Sequence, residues 1–293
     1  MAGIVLGAVM PHGWTLIPEL SPDAEGATAT VQAMHRIEAL FTESRPDLIV
    51  LATPHNVRVE GEICLPRVGR GAGSILYKGR TVEMNVPMDV PFTEALAERA
   101  RARGLPIALA GFAGNNPNQS VIPLDWGAMV PLWFLGHGRN RPGLGDVLAE
   151  TPADDFGPLV VLVSPSRALD RLVNVAFGEV VAEVAANAGR RVAFIASCDW
   201  SHAHRGSRYG ENIAAAEALD AEVVGALQAG DPGRLIDLDE ELVSSAAIDG
   251  LWQALMLAGV LNKAPMDVTF LSYEVAESFS TGLAVAAFTP RSA

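Results

Sequence analysis

Short apolar runs alternate along the chain with alanine-rich stretches of helical spacing. Residues 4–10, 48–53 (LIVLAT), 107–111, 159–164 (LVVLVS) and 192–197 (VAFIAS) are apolar and β-branched, and they predict strands. Residues 29–42 place Val31, Met34, Ile37, Leu40 and Phe41 on one helical face. Helices are also predicted over 92–103, 126–135, 168–186, 214–227 and 242–261, and a closing hairpin over 268–274 and 283–288. Uninterrupted apolar strands belong to sheets covered on both faces by helices. The expected fold is therefore a single α/β domain over 1–293 with a mostly parallel central sheet. Antiparallel pairing is expected at its edge, from residues 60–85 and the final hairpin.

Composition narrows the function. The 293 residues are 49% hydrophobic, enough for a substantial core. With 34 Asp+Glu against 21 Lys+Arg the net charge is -13, which argues against a nucleic-acid partner. Cys64 and Cys198 stand far apart with no CxxC pattern, as expected in a reducing cytoplasm. The opening MAGIVLGAVMPHGW lacks a basic start and reads as a first strand, not a signal peptide. No apolar run reaches membrane-spanning length, and residues 251–261 read as a buried helix.

The histidines carry the candidate chemistry. His12, His55 and His202 each follow a predicted strand, whereas His35 sits in an amphipathic helix and His137 in a helix-terminal turn. His204 is expected at the surface. In open α/β sheets ligands bind beyond the carboxyl ends of the strands, so parallel strands would bring these three imidazoles to one edge. Imidazole is a common ligand of iron, zinc and copper, and two histidines with a carboxylate suit non-haem Fe(II). The bland alternative for any one of them is a loop or capping residue.

Six pieces in order carry a family resemblance: PHGW at 11–14, ATPHN at 52–56, PLDWGAMVPL at 123–132, SCDWSHAHRGSRYG at 197–210, AAIDGLWQALMLAGVL at 246–261 and SYEVAESFSTGLAVAAF at 272–288. The chain resembles the class III, LigB-type extradiol ring-cleavage dioxygenases and the related Memo-like proteins. The resemblance implies His12 and His55 as metal imidazoles and His202 as the catalytic acid/base. It implies a metal carboxylate just before a tryptophan, here Asp249 before Trp252. Strict alignment on the tryptophan would put Ile248 there, and Glu240 and Glu241 are rivals.

Trp126 stands where many ring-cleaving members carry a histidine, as in the Memo-like branch. Trp14, Asn56, Asn116, Trp126 and Arg205 are candidates for contacting substrate, with Asn115 and Gln119 in a loop (111–120) expected over the mouth or simply at the surface. Asp125 and Asp199 are expected to cap or to orient neighbours. Tyr273 and Glu274 read as packing and strand pairing.

The implied activity is Fe(II)-dependent cleavage of a small catecholic diol by O₂ to a ring-opened semialdehyde, as in aromatic catabolism. Mn, Zn or Cu are alternative metals. A non-enzymatic metal-binding protein and a zinc hydrolase are alternative functions. A homo-oligomer or pairing with a small second subunit is expected.

Overall fold

The computed structural model describes residues 2–112, 114–138, 157–276 and 280–291. Its centre is a six-stranded sheet in the order β10-β11-β1-β9-β2-β8. The strands are β1 (Gly3–Met10), β2 (Leu48–Ala52), β8 (Leu159–Val163), β9 (Arg191–Ser197), β10 (Met266–Ala276) and β11 (Thr281–Pro290). β1, β9, β2 and β8 run parallel to one another, while β11 pairs antiparallel with β1 and with β10. The mixed α/β architecture with a mostly parallel sheet is therefore as expected.

Period-two alternation explains why these strands are apolar throughout. Leu48, Val50 and Ala52 of β2 join one core, with Phe177 and Val181 of α4 (Arg171–Asn187) and Leu255 of α7 (Leu251–Lys263). Ile49 and Leu51 point the other way, into a core with Met34 and Ile37 of α1 (Thr28–Ser44). Both faces are covered, so neither parity can be polar. The first core also takes in α2 (Val90–Ala102) and α5 (Ile213–Gln228).

Three expectations change. Residues 60–85 do not extend the central sheet. β3 (Ile63–Pro66) pairs parallel with β6 (Ile107–Ala110), and β4 (Arg70–Tyr77) lies between β5 (Arg80–Pro87) and β7 (Val121–Pro123). Single bridges, Cys64 to Ser164 and Met88 to Val160, tie these small sheets to the β8 edge. The helix predicted over 126–135 stops early: α3 (Trp126–Leu132) contains Pro131 and gives way to a wide turn at Trp133–His137.

The helix predicted over 242–261 is broken into α6 (Glu240–Ser245) and α7. Ala247 takes a left-handed φ of 51° in the intervening turn. The turn spends its carbonyls on other segments: Ala246 O accepts from His202 N and Ser201 Oγ, and Gly250 O from Cys198 Sγ. Periodicity continues across the break, so hydrophobic spacing alone does not reveal it.

No helix among the described residues is long and apolar enough to cross a membrane.

Helices α4 and α7 meet at backbone contact. A Cβ on Gly259 would lie 1.9 Å from Val175 O, and one on Gly178 would lie 1.8 Å from Met256 O. Alanine ordinarily favours a helix by about 1 kcal/mol over glycine. Here the helices would have to separate, and overpacking costs about 1–3 kcal/mol. Gly259→Ala is therefore expected to lower the urea midpoint with little change in slope; a raised midpoint would contradict the close approach.

Candidate metal centre

Three neighbouring strands end level with one another. Met10 of β1 lies beside Ser197 of β9, and Ala52 of β2 beside Ala196 of β9. The chain leaves all three at the same edge, carrying His12, His55, Asp199 and His202. The turn between α6 and α7 brings Asp249 to meet them. Asp249 Oδ2 lies 3.5 Å from His12 Nε2 and 3.9 Å from Nε2 of both His55 and His202. One donor atom each from His12, His55 and Asp249 falls within 4.8 Å of the others.

Hydrogen bonds orient the rings. Ser197 Oγ donates to Gly127 O at 2.6 Å, so it accepts from His12 Nδ1 at 3.0 Å. His12 thus carries its Nδ1 proton away from the site and turns Nε2 towards the carboxylates. The His12 backbone N–H donates to Asp199 Oδ1 at 2.9 Å. His202 Nδ1 lies 3.0 Å from both Trp200 O and Ala247 O. Two carbonyl acceptors require a proton on Nδ1, which leaves Nε2 facing Asp249. The His55 segment is held through its backbone, with Ser164 Oγ donating to His55 O.

Electrostatics follow burial and charge. Burial opposes a proton on His12, but Asp199 and Asp249 outweigh it and raise its pKa to about 9. His55 goes down to about 4, through burial and then the charge on His12. Burial works against ionisation of Asp249, yet His12 foremost, then His202 and His55, holds it below its ordinary value. Asp199 moves up: burial raises it, and the charge of Asp249 adds to the rise against the pull of His12.

The residues fit a divalent cation. Asp249 Oδ1 is buried and has no hydrogen-bond partner among the described residues. An ionised oxygen cut off from both water and donors is costly, and a cation would relieve it. Two imidazoles and one carboxylate are a donor set for iron, and zinc or manganese also accept it.

The centre opens into a cavity of about 450 Å³, within the range of roughly 300–1,000 Å³ typical of small-molecule sites. Of the substrate-contact candidates, Trp14 and Trp126 line it, and so does Asp199. The Trp126 ring lies 4.6 Å from His55 and 6.1 Å from Trp14. Asn56, Asn116 and Arg205 are not among its walls. The Asn56 amide donates to Pro123 O and Asp125 Oδ2, tying the loop after β2 to the turn before α3. Asn116 caps its own turn by accepting from Asn118 N. Asn115 and Gln119, like Asn116, are not among the residues lining the cavity. Arg205 is exposed, and its carbonyl accepts from Ser280 Oγ. Asp125 caps α3 at Ala128 N.

Glu240 is exposed and paired with Arg171, and Glu241 lies in the first turn of α6; neither joins the group of His12, His55 and Asp249. Ile248 is buried in the core. Asp249, 7% exposed, is not on a helix surface. His204 corrects another expectation: it is buried, with Nε2 2.8 Å from Asp220 Oδ2. His35 is exposed beside Glu38, and His137 closes the turn after α3 on Pro158 O.

Sequence reasoning missed Arg167 and Tyr209 as cavity walls. Arg167 stacks 4.8 Å over Trp252 and follows the end of β8, so the strand-end rule applied to a fourth strand would have found it. Tyr209 meets the His202 ring edge-on at 5.6 Å and had no comparable signal.

Residues 6–286 match the family described as the catalytic LigB subunit of aromatic ring-opening dioxygenase, and the chain belongs to that family. It is 24% identical to Protein CA_C1420 of Clostridium acetobutylicum over 269 residues, which is 91% of this chain and 54% of that protein. The chain thus spans about half the length of that curated relative. Among solved structures it is similar in fold to the uncharacterized protein JW3007 from Escherichia coli K12. The TM-score is 0.60 at 14% identity, covering 97% of this chain and 99% of that one.

Metal binding should be pH-dependent in a defined direction. A ligand imidazole must be neutral, and without metal His12 keeps its proton up to about pH 9, whereas His55 is already neutral above about 4. Metal affinity is therefore expected to rise with pH up to about 9. Calorimetric titration at pH 7 in two buffers of different protonation enthalpy should give about one proton released per metal. Release near zero would remove His12 from the ligand set.

Proposed function

We propose that the chain is an extradiol dioxygenase that holds Fe(II) through His12, His55 and Asp249 and opens a catecholic ring with O₂ to a semialdehyde. The observation that carries the reading is the buried Asp249 carboxylate facing three imidazole Nε2 atoms, in a chain of the ring-opening dioxygenase family. When bound, the metal supplies Lewis acidity towards a catechol hydroxyl and adjacent open positions for the two reactants.

The protein's own residues supply orientation and proton traffic. Ser197 holds the His12 ring, and the α6–α7 turn holds Asp249. His202, with its proton kept on Nδ1, presents Nε2 to take a proton from a substrate hydroxyl and to return it later in the reaction. Such assistance is worth roughly 10²–10⁴-fold. Trp14 and Trp126 offer apolar faces to an aromatic ring beside His55.

Protein loaded anaerobically with Fe(II) and then given O₂ is expected to convert at least one member of a catechol panel to a yellow ring-fission product. Absence of turnover across the panel, with iron measured in the site, would count against the reading. His202→Ala should keep its iron and lose about 10²–10⁴-fold in turnover. Unchanged turnover would refute the role of His202. Asp249→Ala should fail to retain iron on metal analysis.

One observation favours a second reading, a Memo-like metal-binding protein without ring cleavage: Trp126 occupies the wall beside His55 where many ring-cleaving relatives carry a histidine. That reading predicts stoichiometric metal with no catechol-dependent O₂ consumption, which an oxygen electrode separates from the first.

A further inference from the structure

Asp220 lies on α5, outside the candidate metal cluster, and is only 1% exposed. Its carboxylate joins three separate segments. Oδ1 accepts from the Ser201 backbone N–H at 3.0 Å, and Oδ2 accepts from His204 Nε2 and from the Tyr273 hydroxyl, each at 2.8 Å. Ser201 and His204 bracket His202 in sequence. The same turn is also held by β11, where Trp200 N donates to Gly282 O and Gly282 N to Ser201 O, each at 3.0 Å. The fit is tight: a Cβ on Gly282 would fall 2.1 Å from Asp220 Oδ2.

The direction of the His202 ring depends on this turn. One of the two carbonyls that accept from His202 Nδ1 is Trp200 O, next to Ser201, and the other, Ala247 O, neighbours the Ala246 carbonyl that accepts from Ser201 Oγ. If the turn shifts, the paired acceptors separate and the ring loses its reason to keep the proton on Nδ1. A buried carboxylate with three donors is a rigid anchor, because leaving any of them unpaired is costly.

We propose that Asp220, with His204 and Tyr273, is a positioning residue that fixes the tautomer and direction of His202. The function of that positioning rests on the reading of His202 as the proton carrier.

The test reads His202 directly. ¹⁵N-histidine NMR at pH 8, with zinc(II) added as a diamagnetic ion and His202 assigned from the His202→Gln spectrum, is expected to give the Nδ1–H tautomer in the unaltered protein. Asp220→Ala should keep its metal, convert His202 to a tautomer mixture, and lower kcat of the iron-loaded protein about 10–100-fold with KM little changed. If Asp220→Ala does not fold, Gly282→Ala, which presses a methyl against the carboxylate and leaves the network's side chains in place, carries the same expectation. Asp220→Asn keeps an oxygen for the Ser201 N–H and should restore the Nδ1–H signature.

An unchanged His202 spectrum in folded Asp220→Ala or Gly282→Ala protein overturns the proposal, whatever the turnover. A changed spectrum with unchanged kcat supports the anchoring and removes His202 from the proton path, so the two failures are distinguishable.

Discussion

A carboxylate buried at the end of a sheet sets the terms for everything around it. Taking an ionised group out of water costs several kcal/mol unless opposite charge or donors replace the solvent. For Asp249 the replacement is chiefly the protonated His12 ring, and no backbone N–H or hydroxyl among the described residues takes the place of water at Oδ1. With Asp199, the larger contributor, Asp249 makes His12 hold a proton strongly when no metal is present, while burial and then the charge on His12 keep one off His55. Two like charges that close would repel, so the site settles its balance on one ring. A bound cation would take over that role, and the proton would leave.

The same carboxylate explains the one large departure from helical periodicity. Residues 242–261 keep apolar spacing throughout, yet a continuous helix would commit the backbone carbonyls of 246 and 247 to its own hydrogen bonds. In the broken form they hold Ser201 and His202 instead. Local helix stability is exchanged for a turn that both presents Asp249 and orients the imidazole opposite. The sheet supplies the opposing frame: its strands are buried on both faces, so their register cannot slip by one residue without reversing every side chain. The ends of β1, β9 and β2 are thereby held level, and the site inherits that alignment.

How much of this could be seen in the chain alone follows from the length scale of each signal. Strand runs such as LIVLAT and the amphipathic α1 are local, and the architecture followed from them. The convergence of His12, His55 and His202 was visible because one topological rule applies to all parallel strands. What stayed open or was misplaced needed tertiary contacts. Asp249 was named before Trp252 with Glu240 and Glu241 as rivals, and the helix break sets it apart from them. His204 looked solvent-exposed because its partner Asp220 lies 16 residues on, across a helix start. Asn56 was a candidate for contacting substrate, but its amide donates to Pro123 O and Asp125 Oδ2.

Trp126 bears on how the work is divided within the cavity. A histidine at that place could carry a proton near neutral pH; an indole can only donate its N–H and does not titrate there. The tryptophan therefore contributes an apolar face and shape. On the proposed function, proton transfer at the open side of the centre is left to His202, with Asp199 Oδ1 engaged by the His12 backbone N–H. A site that relies on one imidazole for proton movement needs that ring held in a single tautomer. The hydrogen bonds from Asp220 through Ser201, and from the broken helix through Ala246 and Ala247, converge on the segment that carries it.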